Sequence, residues 1–191
     1  MFERQIHMNK LSESDNKYLD NAKLWVELGS HEDAENELWQ ISPCHRQHPD
    51  FLDVWWHILF EKKRWADCEI VARKILTHDP SNAMGYIQLA ETLLQTDGVQ
   101  NAYNVLIVAS DIVDDSLTLK YNLACFSALS FRPEEAKGWL AVTFAEAVDS
   151  FYNGFYQQLA VQDLHLKTIW KEIPQIENFN PPSSDYSDGE E

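Results

Sequence analysis

The stretch HEDAENELWQI, residues 31–41, decides the fold because it returns along the chain at a fixed interval of 34 residues. Shifts by this interval give WADCEIVARKI at 65–75, VQNAYNVLIVA at 99–109 and PEEAKGWLAVT at 133–143, without a gap. The motif carries a small residue and, four positions later, an apolar one: Ala34, Cys68, Ala102 and Ala136, then Leu38, Ala72, Leu106 and Leu140. This spacing puts both positions on one face of a helix.

A second periodic segment precedes each copy of the motif. Its positions recur at spacings of four and three residues: Tyr18, Ala22 and Trp25; Leu52, Trp56 and Leu59; Tyr86, Ala90 and Leu93; Lys120, Ala124 and Ser127. Each repeat is therefore two helices, near 16–28 with 33–45, 50–62 with 67–79, 84–96 with 101–113, and 118–130 with 134–147. A helix pair of this size cannot bury both of its apolar faces alone, so the pairs must stack on one another.

When the four copies are aligned, the repeated positions form columns of small and apolar residues. These columns resemble those of the tetratricopeptide repeat (TPR) family, whose repeats have the same length and a small residue early in the second helix. The stretch YNLACFSALSFRPEEAKGWL at 121–140 is locally the most similar. The resemblance implies an all-α fold, a right-handed α-α superhelix (TPR solenoid) of helix hairpins with C-terminal capping helices. Trp56 departs from the family because it stands where a Gly or Ala is usual, which predicts a wider or rotated packing of the first repeat on the second.

The repeat pattern also divides the chain. Four repeats are predicted at 15–48, 49–82, 83–116 and 117–150, after an N-terminal extension at 1–14. Residues 151–175 have apolar side chains without the repeat pattern, and they are predicted to form capping helices. Residues 176–191 are predicted to be a disordered acidic tail, because their end, NPPSSDYSDGEE, combines acids with Pro, Ser and Gly.

Composition excludes several classes of function. The chain has 15 Lys and Arg against 31 Asp and Glu, a formal net charge of −16, which argues against nucleic-acid binding. No apolar run approaches the ~18 residues of a membrane span, so we expect no membrane insertion. The N-terminal stretch MFERQIHMNK carries charges where a signal peptide has an apolar run, so we expect a cytoplasmic location. With six Gly and neither a phosphate loop nor a nucleophile elbow, the chain is predicted not to be an enzyme and to need no cofactor.

The resemblance implies a protein–protein interaction adaptor or scaffold. Family members bind a peptide or helix of a partner protein in a concave groove lined by the first helix of each repeat. The positions expected on that face are Leu19, Lys23, Val26, Val54, His57, Phe60, Glu61, Ile87, Glu91, Leu94, Tyr121, Asn122 and Cys125. Most of these residues are apolar, and Glu61 and Glu91 are acidic, so the partner is predicted to be apolar with basic flanks. The family's clamp for acidic chaperone tails needs several basic groups, and only Lys23 is in place.

Three alternatives stay open. A TPR-type secretion chaperone is also small, acidic and cytoplasmic. A metal-binding protein or enzyme could use Cys44, His45 and His48 of the string CHRQH, with His31 as a fourth ligand. That string is a weak signal without a second pair at ligand spacing, so no metal site is predicted. The third alternative is self-association of the chain through surface tryptophans such as Trp39 and Trp139.

Overall fold

The computed structural model describes residues 10–148, 150–152 and 154–179. Within these residues the chain forms nine α-helices and no strand. The helices are α1 Glu13–Glu27, α2 His31–Leu38, α3 Pro49–Glu61, α4 Trp65–His78, α5 Ala83–Thr96, α6 Val99–Ser110, α7 Leu117–Leu129, α8 Pro133–Ala147 and α9 Phe155–Ala160. Short 3-10 turns lie at Pro43–His45, Leu164–Leu166 and Ile173–Gln175.

The helices pair as the 34-residue period predicts. Seven of the eight predicted repeat helices begin and end within three residues of their predicted positions. The repeated columns form the core: the small residues and the apolar residues four positions later are fully buried in all four copies, at 0% exposure. The boundaries assigned to the four repeats stay a prediction. Predictions for residues 1–9 and 180–191 lie outside the described residues.

Among the described residues the backbone separates into two compact halves, one up to Thr96 and one from Asp97 onward. In the N-terminal half, α1 packs on α2 and α3, and α4 packs on both α3 and α5. In the C-terminal half, α7 packs on α6 and α8. None of the described helices combines the length and the apolar character that a membrane crossing requires.

Local signals in the sequence set the helix ends. The hydroxyl oxygen of Ser12 accepts from the backbone N–H of Asp15 and begins α1, and Ser116 begins α7 in the same way through Leu119. Pro49 and Pro133 stand in the first turns of α3 and α8, where a missing backbone N–H costs nothing.

The second helix of the first repeat is shorter than predicted. It ends at Leu38 rather than near residue 45. Pro43 cannot continue a helix, because it would remove one hydrogen bond and its ring would clash with the preceding turn. Instead, Asp15 of α1 accepts hydrogen bonds from the Ser42 backbone N–H at 2.9 Å and from its hydroxyl at 3.2 Å. The buried carboxylate thus holds the turn that replaces the last part of this helix.

The C-terminal segment contains less regular helix than the predicted cap. Between 151 and 175 the structure has α9 and two 3-10 turns, and the turn Leu164–Leu166 packs against α7. Ala160, Leu166, Ile169 and Ile173 are buried. The segment therefore buries apolar side chains mainly through turns, not through two full helices.

Candidate functional site

A cleft in the N-terminal half is lined mainly by the first helices of the first three predicted repeats. We call it the first-helix cleft, and its volume is about 250 Å³. The helices α1, α3 and α5 supply most of its wall, and α4 and the turn before α5 close one side. The residues around it are Lys23, Pro49, Asp50, Asp53, Ile75, Asn82, Met84 and Gln88.

Gln88, in the lining of the cleft, has a buried acceptor that no described residue pairs with. The side chain is 1% exposed, and its Nε2 donates to Asp53 Oδ1 at 2.6 Å. A carboxylate can only accept, so the amide orientation is fixed by this bond. The other amide atom, Gln88 Oε1, is buried and has no hydrogen-bond partner among the described residues. Because this oxygen is buried, a ligand in the cleft contacts the exposed groups of the lining instead, namely Lys23, Asp50 and Met84.

The lining of the cleft carries a small net negative charge and includes the apolar side chains of Ile75 and Met84. Asp50 and Asp53 face one cation, Lys23, whose Nζ lies 4.0 Å from Asp50 Oδ2. Both members of this ion pair are about half exposed, so the pair contributes little and can be replaced by another cation. Met84 is 43% exposed and offers an apolar contact beside Gln88.

The structure separates the predicted partner-binding residues by exposure. Lys23, His57 and Glu61 are exposed; Val26, Phe60, Glu91, Leu94 and Asn122 are half-buried; and Leu19, Val54, Ile87, Tyr121 and Cys125 are buried. A partner could not reach the last group without repacking the helices. Only Lys23 of the whole set lines the first-helix cleft.

On α3 the cleft lies one helical turn before the positions predicted from the sequence. On α3 the cleft residues Asp50 and Asp53 precede the predicted Val54 and His57. Sequence reasoning missed these two acids, although their place on the same helix was a usable signal.

Two of the predicted residues on α7 are covered by the chain itself. The Tyr121 hydroxyl donates to Asp163 Oδ2 at 2.9 Å, and the Cys125 thiol lies 3.5 Å from the same oxygen. Burial, with Cys125 and Asp163 close by, raises the pKa of Tyr121 above its usual value. The C-terminal segment therefore occupies part of the face that the sequence assigned to a partner.

A second cleft in the N-terminal half is walled by tryptophan, and its volume is about 450 Å³. The rings of Trp39 and Trp55 meet edge to face at 5.3 Å, and the Arg46 guanidinium lies 4.7 Å from the Trp39 ring centroid. Arg46 also donates to the carbonyl oxygens of Ile41 and Trp39. Because this cation is already paired with the chain, we interpret the tryptophan cleft as packing that supports the shortened first repeat.

Trp56 fills its unusual position by reaching toward the next repeat. The side chain is 4% exposed, and its indole N–H donates to Thr92 Oγ1 of α5 at 3.2 Å. Its ring also packs against Phe60, with centroids 4.7 Å apart. The large side chain in the small-residue column is thus a buried, hydrogen-bonded contact between α3 and α5.

The string CHRQH has structural partners. His45 Nδ1 lies 2.6 Å from Asp15 Oδ2, and His48 Nδ1 accepts from the Asp50 backbone N–H at 3.3 Å as the N-cap of α3. Cys44 is exposed. Among the described residues, the group of side chains that could hold a metal ion lies elsewhere, at Cys125, Asp163 and His165.

Comparison with known proteins places the fold. Neither a protein-family model nor a curated protein sequence matches the chain. Among solved structures, the chain is similar to a candidate kinesin light chain from Podosopora anserina with nearly identical TPR-like repeats. The similarity covers 84% of this chain and 90% of that one, with 14% sequence identity and a TM-score of 0.57. With its helix pairs and 34-residue period, the chain has the all-α repeat fold of a TPR-type protein.

Proposed function

We propose that the chain is a non-enzymatic adaptor that holds a peptide or helix of a partner protein in the first-helix cleft. The observation that carries this proposal is the lining of the cleft, where the first helices of three predicted repeats bring Asp50 and Asp53 beside the exposed Met84. A TPR-type fold suggests protein–protein interaction in general, and the lining of this cleft supports it as the proposed site of that interaction.

The lining of the cleft specifies the chemistry of the bound segment. Met84 and Ile75 favour an apolar side chain, while Asp50 and Asp53 favour a basic residue beside it. The exposed His57 and Glu61 lie further along α3 and could extend the contact. The proposed partner is therefore an apolar segment with basic flanks, and on composition we infer that the two meet in the cytoplasm.

The half-buried positions on the same face remain part of the proposal. Val26 on α1, Phe60 on α3 and Leu94 on α5 are partly accessible, so each could add an apolar contact at the edge of the cleft. We expect the buried Val54 and Ile87 to act indirectly by holding the helices that carry the cleft.

Peptide selection tests this function directly. A displayed library of random peptides is selected on the full chain, and the Kd of each enriched peptide is measured by fluorescence polarisation. We expect enriched sequences to combine an apolar residue with Lys or Arg. Met84→Glu and Asp53→Lys should each weaken binding at least about tenfold, which corresponds to about 1.4 kcal/mol.

A matched control separates the cleft from general surface effects. Val108 on α6 is 54% exposed and lies outside the first-helix cleft, so Val108→Glu should leave the Kd unchanged. Circular dichroism of each variant checks that the helices remain. The proposal fails if folded Met84→Glu and Asp53→Lys bind the selected peptides as tightly as the unaltered chain.

A further inference from the structure

Three potential metal ligands meet in the C-terminal half, outside the first-helix cleft. Cys125 on α7 offers a sulfur, Asp163 a carboxylate oxygen and His165 an imidazole nitrogen, and these atoms all lie within 4.8 Å of one another. Thiolate, imidazole and carboxylate are the three ligand types that zinc takes in proteins. We call these three residues the cap cluster.

The distances in the cap cluster are close to those of a coordination sphere. Cys125 Sγ lies 3.5 Å from Asp163 Oδ2, and His165 Nδ1 lies 3.7 Å from Asp163 Oδ1. Zinc–sulfur and zinc–oxygen bonds of ~2.3 and ~2.0 Å put those two atoms ~3.5 Å apart in a tetrahedron. The imidazole nitrogen lies nearest the other carboxylate oxygen, Oδ1, so an ion shared by all three side chains requires them to close in from separations of up to 4.8 Å.

The carboxylate at the centre of the cap cluster is held in place. The Tyr121 hydroxyl donates to Asp163 Oδ2 at 2.9 Å, and the His165 backbone N–H donates to Asp163 Oδ1 at 2.9 Å. The Trp170 indole N–H donates to the Asp163 carbonyl oxygen at 2.8 Å. Hydrogen bonds of this kind orient metal ligands and lower the entropy lost when an ion binds.

The burial of the three side chains gives the cluster a closed floor and an open side. Cys125 is 1% exposed, whereas the side chains of Asp163 and His165 are 19% and 38% exposed. An ion could enter past the imidazole and meet the sulfur at the bottom. Water could fill the fourth position, as in zinc sites with three protein ligands.

We propose that the cap cluster binds a divalent zinc-type ion. On binding, the Cys125 thiol gives up its proton to solvent, and the ion takes the place of the hydrogen shared between Cys125 and Asp163. The ion would join α7 to the turn Leu164–Leu166 and so fasten the C-terminal segment to the fourth repeat. This site is independent of peptide binding in the first-helix cleft.

Cobalt is the probe that reports the ligands. The full chain, purified without a histidine tag and kept reduced, is titrated with Co²⁺. We expect one equivalent to give the visible bands of tetrahedral Co²⁺ and a sulfur-to-cobalt charge-transfer band in the near ultraviolet, both removed by added Zn²⁺. Cys125→Ser should abolish the charge-transfer band, and His165→Gln should weaken Co²⁺ binding by 10-fold or more.

Cys44 supplies the matched control, because it is an exposed thiol beside His45 and His48. Cys44→Ser should leave the cobalt spectrum unchanged. If Cys125→Ser fails to fold, the half-exposed His165→Gln decides the outcome. The proposal is overturned if the folded chain shows no charge-transfer band at one equivalent, if that band survives Cys125→Ser, if it disappears in Cys44→Ser, or if a folded His165→Gln variant binds Co²⁺ as tightly as the unaltered chain.

Discussion

Three turns between paired helices place one residue in the left-handed backbone region at equivalent positions of the repeat. These residues are Gly29 with φ of 73°, Lys63 with 55° and Phe131 with 58°. In each turn the next backbone N–H donates to a carbonyl five residues earlier: Ser30 to Trp25, Arg64 to Leu59 and Arg132 to Ser127. This Schellman-type ending favours glycine, because other residues adopt a positive φ at a cost.

Phe131→Gly is therefore expected to stabilise the protein. Phe131 is 86% exposed, so its side chain contributes few contacts while its backbone is strained. The free energy of unfolding should rise by about 0.5–1 kcal/mol. Urea denaturation measures the change, with Gly29→Ala as the reciprocal control. A Cβ at Gly29 has open space around it, so that variant should lose about 1 kcal/mol through its backbone alone.

The helix bounds predicted from the sequence leave a turn at all three positions, but only the first carries a residue that favours a positive φ. Gly29 is a visible stop signal, whereas Lys63 and Phe131 carry none. The hydrogen bonds of the turn and the packing of the flanking helices impose the same backbone on all three residues. The glycine signal was thus sufficient in one repeat but was not required in the others.

Asp15 should make stability depend on pH. Burial alone would raise its pKa, but hydrogen bonds from His45, Ser42 and Ser12 lower it from 3.8 to about 2. Because the folded pKa lies below the unfolded one, this contribution is complete above pH 3.8 and is lost as the pH falls toward 2. Asp15→Asn should cost about 2 kcal/mol at pH 7, with the deficit shrinking over that range.

Urea midpoints of the unaltered chain and Asp15→Asn, measured from pH 7 to 2.5, test this expectation. Asp20→Asn is the control, since Asp20 is an exposed acid on the same helix. It should change stability by less than about 0.5 kcal/mol at every pH. A constant difference between Asp15→Asn and the unaltered chain would show that the ionised carboxylate is not the source of the stability.

At the scale of helices, α4 and α5 approach closely at Gly85. A Cβ built at Gly85 would lie 2.9 Å from Ile75 Cγ2 and 3.0 Å from Leu76 Cδ2. A side chain at this position would force Ile75 and Leu76 to shift, which favours glycine here although glycine is a poor helix former. Close packing of the helix pairs outweighs local propensity here.

Gly85→Ala and Gly138→Ala should consequently have opposite signs. Both glycines lie within helices, but nothing is within 4 Å of a Cβ at Gly138 on α8. We expect Gly85→Ala to lower the free energy of unfolding by about 1–3 kcal/mol and Gly138→Ala to raise it by about 0.5–1 kcal/mol. Thermal and urea unfolding monitored by circular dichroism measure both. Stabilisation by both variants would mean that α4 and α5 can separate at little cost.

The repeat period predicted the helices well because it reports which residues are buried. It predicted less where a polar contact between residues distant in sequence sets the structure. The small and apolar columns are buried in every copy, which fixes seven helices to within a few residues. The early end of α2 depends on Asp15, which binds Ser42 from 27 positions away in sequence. The C-terminal cover on Tyr121 depends on Asp163, which is 42 positions distant. Such pairings leave no periodic signal.

At the scale of the whole molecule, charge imbalance should make stability rise with salt. Acids outnumber basic residues by 31 to 15, so repulsion opposes the folded state. Ion pairs such as Lys120 with Glu146 and Lys137 with Glu172 act in the opposite direction, but they are partly exposed and weak. The free energy of unfolding should increase by about 0.5–1 kcal/mol between ~20 mM and ~0.5 M NaCl.

Urea titrations at several NaCl concentrations check this prediction. Titration with KCl is the control, because screening depends on ionic strength and should be the same for two monovalent salts. A decrease in stability with salt would show that the surface ion pairs outweigh the net charge.

The turn Leu164–Leu166, which packs against α7, limits where a further repeat can be inserted into the chain. Gene duplication that added a copy after Ala147 would have to displace Asp163 and leave the Tyr121 and Cys125 side chains uncovered. A copy inserted ahead of Leu117 would keep α7 and its covering turn together. We expect longer chains of this type to gain repeats ahead of α7 and to keep α7, α8 and the turn that covers α7 together.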